Sequence, residues 1–191
     1  MFVIGVDLGQ AVDYSAIAVI EFDPRQTHNR ELNLRHIERV PLGESYTGVV
    51  ERLSGLQASL LGSRLVMDAT GVGRPVRDML IAKGVEPFGV SITSGRETRC
   101  VNGIWRVPKR VLLRGLSVAL ESGLLKIAEG LPYTAALKAE LGAFQAEFTD
   151  RGNVTFNGVC EHDDLVIAVA LAVTQEIGPD RTRQLRTQKN Y

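Results

Sequence analysis

Three observations predict a mixed α/β domain whose central sheet opens as an antiparallel three-strand meander and continues through parallel strands flanked by helices. The first forty residues carry three strand-like runs joined by short polar turns. Beyond Pro41 the apolar period lengthens, and helix-like and strand-like stretches alternate, as crossovers in a parallel sheet require. Two of the apolar strands end on an aspartate, where open α/β sheets place their sites.

The elements follow in order. FVIGVDLG reads as a strand that carries Asp7 near its C-terminal end. SAIAVIEF (15–22) is a second strand rich in β-branched and apolar residues, and the short GQAVDY turn predicts a hairpin. LNLRHIERV (32–40) alternates as a third strand with one wet face. Val49, Val50, Leu53, Leu56 and Leu60 then recur at helical spacing, giving a helix over 47–61 with Ser45 or Thr47 as its cap. RLVMD (64–68) is a short buried strand, again ending on an acid, Asp68. A glycine-rich turn leads to a helix over 74–83, with Pro75 in its first turn and Gly84 at its end. Residues 88–92 form another strand.

SGRETRCVNGIWRVPKR is polar, basic and broken by glycine, and reads as a loop before a helix over 108–121 that ends at Gly123. LLKIA is a short strand candidate. Leu137, Leu141, Phe144 and Phe148 stripe a helix over 133–148, and a small strand follows at 153–156. The last helix, 163–177, is apolar on nearly every side and is expected to be buried against the sheet. One domain is expected over 1–178, with a frayed basic tail over 179–191.

Bulk properties narrow the function classes. A chain of 191 residues buries about two-thirds of its unfolded surface and needs no disulfides. Cys100 and Cys160 read as reduced thiols, and no Cys/His spacing suggests zinc. Equal numbers of acids and bases, 22 each, argue against a protein that coats nucleic acid by charge alone. The N-terminus runs straight into a strand without a basic leader, and the longest apolar run, 165–173, is too short to span a bilayer. No membrane association is expected.

The acids carry the chemistry. Asp7 and Asp68 taken singly are ordinary strand-end residues, and an aspartate opening an apolar helix is an ordinary cap. EHDDL, however, supplies two adjacent aspartates, Asp163 and Asp164, behind Glu161 and His162, which exceeds what a cap requires. If the strands of Asp7 and Asp68 are parallel neighbours, their carboxylates converge and the last helix brings Asp163 or Asp164 across them. Such crowded like charges call for a cation. Oxygen ligands without a His/Cys set favour Mg²⁺ or Mn²⁺, and acidic clusters of this kind hold two ions in phosphoryl-transfer and nuclease sites. Asp7 would bridge the ions, with Asp68 completing one shell and Asp163 or Asp164 the other. His162 is an auxiliary candidate, for orienting a water or touching phosphate, and equally an ordinary structural histidine.

Arg96, Arg99, Arg106, Lys109, Arg110 and Arg114 make a local basic bias, with Trp105 among them. Arg96, Arg99, Trp105, Arg106, Lys109 and Arg110 are candidate DNA contacts through phosphate pairing and stacking; a solvated face with Trp105 as a core anchor is the plain alternative. TGVG (70–73) can bind phosphate through backbone N–H groups or serve as a simple strand-to-helix turn. The tail bases Arg181, Arg183, Arg186 and Lys189 are a second, weaker candidate contact.

GVDLGQAVDYSAIAV, LVMDATGVGRPVRDML, VPKRVLL and HDDLVIAVALA together resemble the nuclease domain of the large terminase subunit of tailed bacteriophages, which has an RNase H-like fold. The resemblance spans nearly the whole chain, and HDDLVIAVALA after two strand-end acids is its most specific piece. It implies metal-dependent cutting of double-stranded DNA, with little sequence preference, during genome packaging in the host cytoplasm. It also implies Asp7 as the first-strand ligand, Asp68 as the second and the Asp163–Asp164 pair as the last-helix ligand, Asp163 weighted slightly. Implied partners are the portal protein, the small terminase subunit and a packaging ATPase domain. The chain departs from a complete large terminase in having no GxxxxGK[ST] loop, for DATGVGRPV lacks the lysine, so it is expected to be an isolated domain or split product that does not translocate DNA alone. Three rival readings share some of these features: a Holliday-junction resolvase-like nuclease of the same fold, an actin-like ATPase or sugar-kinase lobe suggested by GVDLG, and a non-catalytic DNA-binding or assembly module.

Overall fold

The computed structural model describes residues 1–9, 13–26, 30–149 and 162–174, the side chains of 144–149 excepted. The expected strand at 153–156, the end of the last helix and the basic tail lie outside the described residues, as do Cys160 and Glu161.

The elements are β1 (Phe2–Asp7), β2 (Ser15–Glu21), β3 (Leu32–Val40), α1 (Tyr46–Ser59), β4 (Arg64–Asp68), α2 (Gly73–Ala82), β5 (Phe88–Thr93), β6 (Arg99–Val101), β7 (Ile104–Pro108), α3 (Lys109–Glu121), β8 (Leu125–Ile127), α4 (Thr134–Thr149) and α5 (Asp164–Val173). Among the described residues the strands form one eight-stranded sheet in the order β6-β7-β5-β4-β1-β2-β3-β8. β1–β2–β3 is the antiparallel meander, and β4, β5 and β7 add in parallel beside β1. The fold class and the meander expected from the sequence are those observed. The stretch expected to be a loop contains a hairpin instead: β6 and β7 pair antiparallel about Asn102–Gly103, both with positive φ, the backbone a tight hairpin turn needs.

The sheet separates two apolar clusters. On one face Ile4, Val6, Ile17 and Val19 pack with Val49 and Leu53 of α1 and Val76 and Leu80 of α2. On the other, Val3, Ala16, Ala18 and Val66 pack with α5, together with Leu112 and Leu116 of α3 and Leu137 of α4. α5 is buried along its whole length, which explains a sequence apolar on every side. Its seat on the sheet depends on Gly5: a Cβ there would lie 2.1 Å from the Ala168 carbonyl oxygen and 2.9 Å from the Ala168-adjacent turn's Ala172 Cβ. Only glycine lets the helix backbone approach this closely.

Strand β3 contains an irregularity that the alternating pattern concealed. Val19 pairs with His36 but Ile20 pairs with Leu34, so Arg35 is an extra residue and β3 bulges. The bulge lets Leu34 and Ile37, three apart, face the same cluster. Arg39, two beyond Ile37, therefore points to the α5 side of the sheet.

Candidate active site

Strand parity puts the acids together. Along β1, Val3 and Gly5 face α5, so Asp7 does as well. Along β4, Val66 faces α5 and so does Asp68. The parallel register Val6↔Met67 sets the two aspartates side by side at the C-terminal ends of adjacent strands. The N-terminus of α5 arrives over the same edge with Asp163 and Asp164, and α3 begins beside them with Lys109.

The electrostatics record this crowding. Burial pushes the Asp7 carboxyl well above the usual carboxylate range, and the charges of Asp68, Asp163 and Asp164 push it the same way, against a smaller pull from Lys109. Asp68 is also raised, again by burial, although Thr70 opposes this by donating its N–H (2.9 Å) and its hydroxyl (2.6 Å) to Asp68 Oδ1. The TGVG turn thus serves Asp68 directly. Its tightness requires Gly73, where a Cβ would stand 1.9 Å from the Asp68 carbonyl oxygen.

The two helix aspartates differ in their surroundings. Asp163 has a side chain 37% exposed and receives the Lys109 ammonium on Oδ2. Asp164 has a side chain only 8% exposed, and both its oxygens are taken by Arg39: Nε donates to Oδ2 at 2.8 Å and Nη2 to Oδ1 at 3.2 Å. Arg39 Nη2 also donates to Glu140 Oε1 at 2.7 Å, and Glu140 Oε2 accepts the Val166 N–H at 3.0 Å. Glu140 is 3% exposed, and burial raises its carboxyl to about 7. The guanidinium of Arg39 lies over the Tyr14 ring at 4.8 Å, and Tyr14 meets His162 edge-on at 5.5 Å. His162 is half-buried in that ring contact.

Arg39 and Glu140 escaped the sequence reading. Glu140 did leave a signal, being three residues after Leu137 on an otherwise apolar helix stripe. Arg39 left none, because its direction depends on the bulge. Of the candidate DNA contacts, Arg96, Arg99, Arg106 and Arg110 are exposed. Arg110 Nη2 donates to the Arg96 carbonyl at 2.6 Å, tying the start of α3 to the preceding turn. Trp105 is half-buried and stacks on Phe88 with centroids 6.4 Å apart. Lys109 stands in the acidic cluster as the partner of Asp163.

Among the described residues no three His, Cys, Asp or Glu side chains stand close enough together to hold a metal ion. The donor chemistry nevertheless suits a hard divalent cation: Asp7, Asp68 and Asp163 offer oxygen only, and their mutual repulsion is what such an ion relieves. No helix among the described residues is long and apolar enough to cross a membrane.

No protein-family model matches the chain. Two curated relatives do: the large terminase subunits of Thermus phage G20c and Thermus virus P23-45 are each 27% identical over 183 residues, 94% of this chain. The chain spans 33% of the length of either relative. Among solved structures, the large terminase nuclease of phage G20c with bound cobalt superposes with a TM-score of 0.65 at 24% identity, covering 92% of this chain and 81% of that one. The nuclease domain of the bacteriophage SPP1 large terminase with bound Mn gives 0.55 at 12% identity over 92% and 86% of the two chains. The human cytomegalovirus terminase nuclease domain, Mn soaked, gives 0.52 at 16% identity over 94% and 84%. The chain is therefore similar in sequence to large terminase subunits and in fold to their nuclease domains, and its architecture is the RNase H-like α/β fold.

Proposed function

We propose that this domain is a metal-dependent endonuclease that cleaves double-stranded DNA during phage genome packaging, acting in the cytoplasm of the bacterial host. One observation carries the reading: the parallel register of β1 and β4 sets Asp7 beside Asp68 at the C-terminal edge of the sheet, and the N-terminus of α5 brings Asp163 and Asp164 to the same edge, with their charges raising the Asp7 carboxyl. The metals named in the structures it superposes on support the same reading.

Asp7, at the centre of the cluster, and Asp68 and Asp163 on its two sides would hold two Mg²⁺ or Mn²⁺ ions. Bound there, the ions would supply Lewis-acid activation of water and charge stabilisation of the departing oxygen of the phosphodiester. The protein's own share is placement. Thr70 fixes the Asp68 carboxylate by its two hydrogen bonds. Lys109 offsets part of the negative charge through Asp163. The exposed Arg96, Arg99, Arg106 and Arg110, on and beside the β6–β7 hairpin, would pair with DNA phosphates without reading sequence. A packaging ATPase domain, portal protein and small terminase subunit are the partners this assignment brings.

Supercoiled plasmid incubated with Mn²⁺ or Mg²⁺ should be nicked or linearised, and chelator should stop it. Asp7→Asn and Asp68→Asn proteins should fall to the chelated baseline. If either cuts at the wild-type rate, the assignment fails. Cutting confined to four-way junctions would replace it with a resolvase activity, and ATP hydrolysis without any DNA cleavage with a nucleotide-binding one.

A further inference from the structure

An aspartate immediately before a helix ordinarily caps it, accepting an N–H from the second or third helical residue. Asp163 holds that position before α5 but makes no side-chain cap bond. Its backbone, at φ −132° and ψ 12°, is outside the extended region that capping residues favour. The N–H it would satisfy, that of Val166, the third residue of α5, goes to Glu140 Oε2 of α4 instead. Glu140 in turn is held by Arg39, which grips both oxygens of Asp164.

We propose that Glu140 is a substitute cap for α5 that releases Asp163 from capping and leaves its carboxylate to the acidic cluster. Arg39 and Asp164 position Glu140 and the helix end, so within the adjacent pair Asp163 is the ligand and Asp164 the positioning residue. The inference rests on the metal-dependent reading of the cluster and divides the labour inside it. The links from Asp164 through Arg39 and Glu140 to the Val166 N–H are all at hydrogen-bonding distance. The buried Val166 N–H needs an acceptor, and it has one only because an acid from another helix supplies it. Asp163 stands at the position from which a helix is ordinarily capped, so without Glu140 its carboxylate is the one the Val166 N–H would compete for, at the expense of the cluster.

The test measures Mn²⁺ binding by titration calorimetry on the whole 191-residue chain, with thermal unfolding recorded beside it. Glu140→Ala should weaken Mn²⁺ binding by about tenfold to a hundredfold, the range for partners that orient a ligand. Glu140→Gln keeps one oxygen for the Val166 N–H but gives up the Arg39 bond, and should recover part of that loss. Asp163→Asn should abolish binding, whereas Asp164→Asn should weaken it no more than Glu140→Ala does. A merely structural role would lower the melting temperature and leave the affinity of the folded protein unchanged. Wild-type affinity in Glu140→Ala overturns the proposal, as do equal losses in the Ala and Gln variants or complete loss in Asp164→Asn. A wild type that binds Mn²⁺ yet leaves DNA intact sinks the nuclease reading alone, and one that binds no Mn²⁺ sinks both.

Discussion

Asp7, Asp68 and Glu140 all hold their protons to higher pH in the folded protein than an ordinary carboxyl does, and burial is the first cause in each. The unfolded chain releases these protons near 3.8 for the aspartates and 4.5 for the glutamate, while folded Glu140 releases its own only at about 7. Between those limits the folded state binds more protons than the unfolded one, so stability must fall as pH rises. Asp23 and Glu38 are shifted down, and the stability they add is lost only on acidification below that window. In chelator, the melting temperature should therefore decline from about pH 5 to about pH 7, and Glu140→Gln should flatten the decline. Mn²⁺ should reverse it by binding the ionised acids of the folded form. A melting temperature in chelator that rises across this range would show that the acids are not crowded as described. The strand-end aspartates and the Asp163–Asp164 doublet were legible in the sequence because each sits at the end of a plain apolar run. The Arg39–Glu140 bond joins residues 101 apart, and no local pattern announces a partner at that distance.

At the scale of elements, the sequence carried the order of strands and helices well where apolar period and breakers agreed. The turn before β5 and the ends of α2 and α3 fell where Gly84 and Gly123 stand, both with positive φ. The β6–β7 hairpin was missed because its strands are short, three and five residues, and β6 is wholly exposed, so no apolar alternation marks it. The bulge in β3 was missed because Arg35 looks like one more polar residue in an alternating strand. Gly5 is marked in the sequence only as a glycine inside an apolar strand, yet it sets the distance between β1 and α5. Gly5→Ala would drive a Cβ into the Ala168 carbonyl and should cost about 1–3 kcal/mol or more, as overpacking in a tight core does. Denaturant unfolding measures it, and an unchanged midpoint would mean that α5 can lift from the sheet at no cost. The lift would also draw Asp163 away from Asp7, so Mn²⁺ affinity should fall in the same variant.

The described residues form two cores back to back on one sheet, with the acids at the edge of the one that holds α5. Leu53, on the buried face of α1, belongs to the other core and is fully buried. Leu53→Ala should lower stability by about 2–5 kcal/mol. It should leave the Mn²⁺ affinity of the folded protein as it was, because the sheet stands between. A parallel loss of affinity would show that the two faces communicate. The same partition has a consequence for how this chain can diverge. Substitutions under α1 and α2 spend stability without touching the chemistry, so they can accumulate and be selected on folding alone. Changes under α5 are judged on stability and on the alignment of the acids at once. Lineages of this fold should therefore drift fastest on the α1–α2 side, and an engineer seeking a more heat-resistant version should begin there.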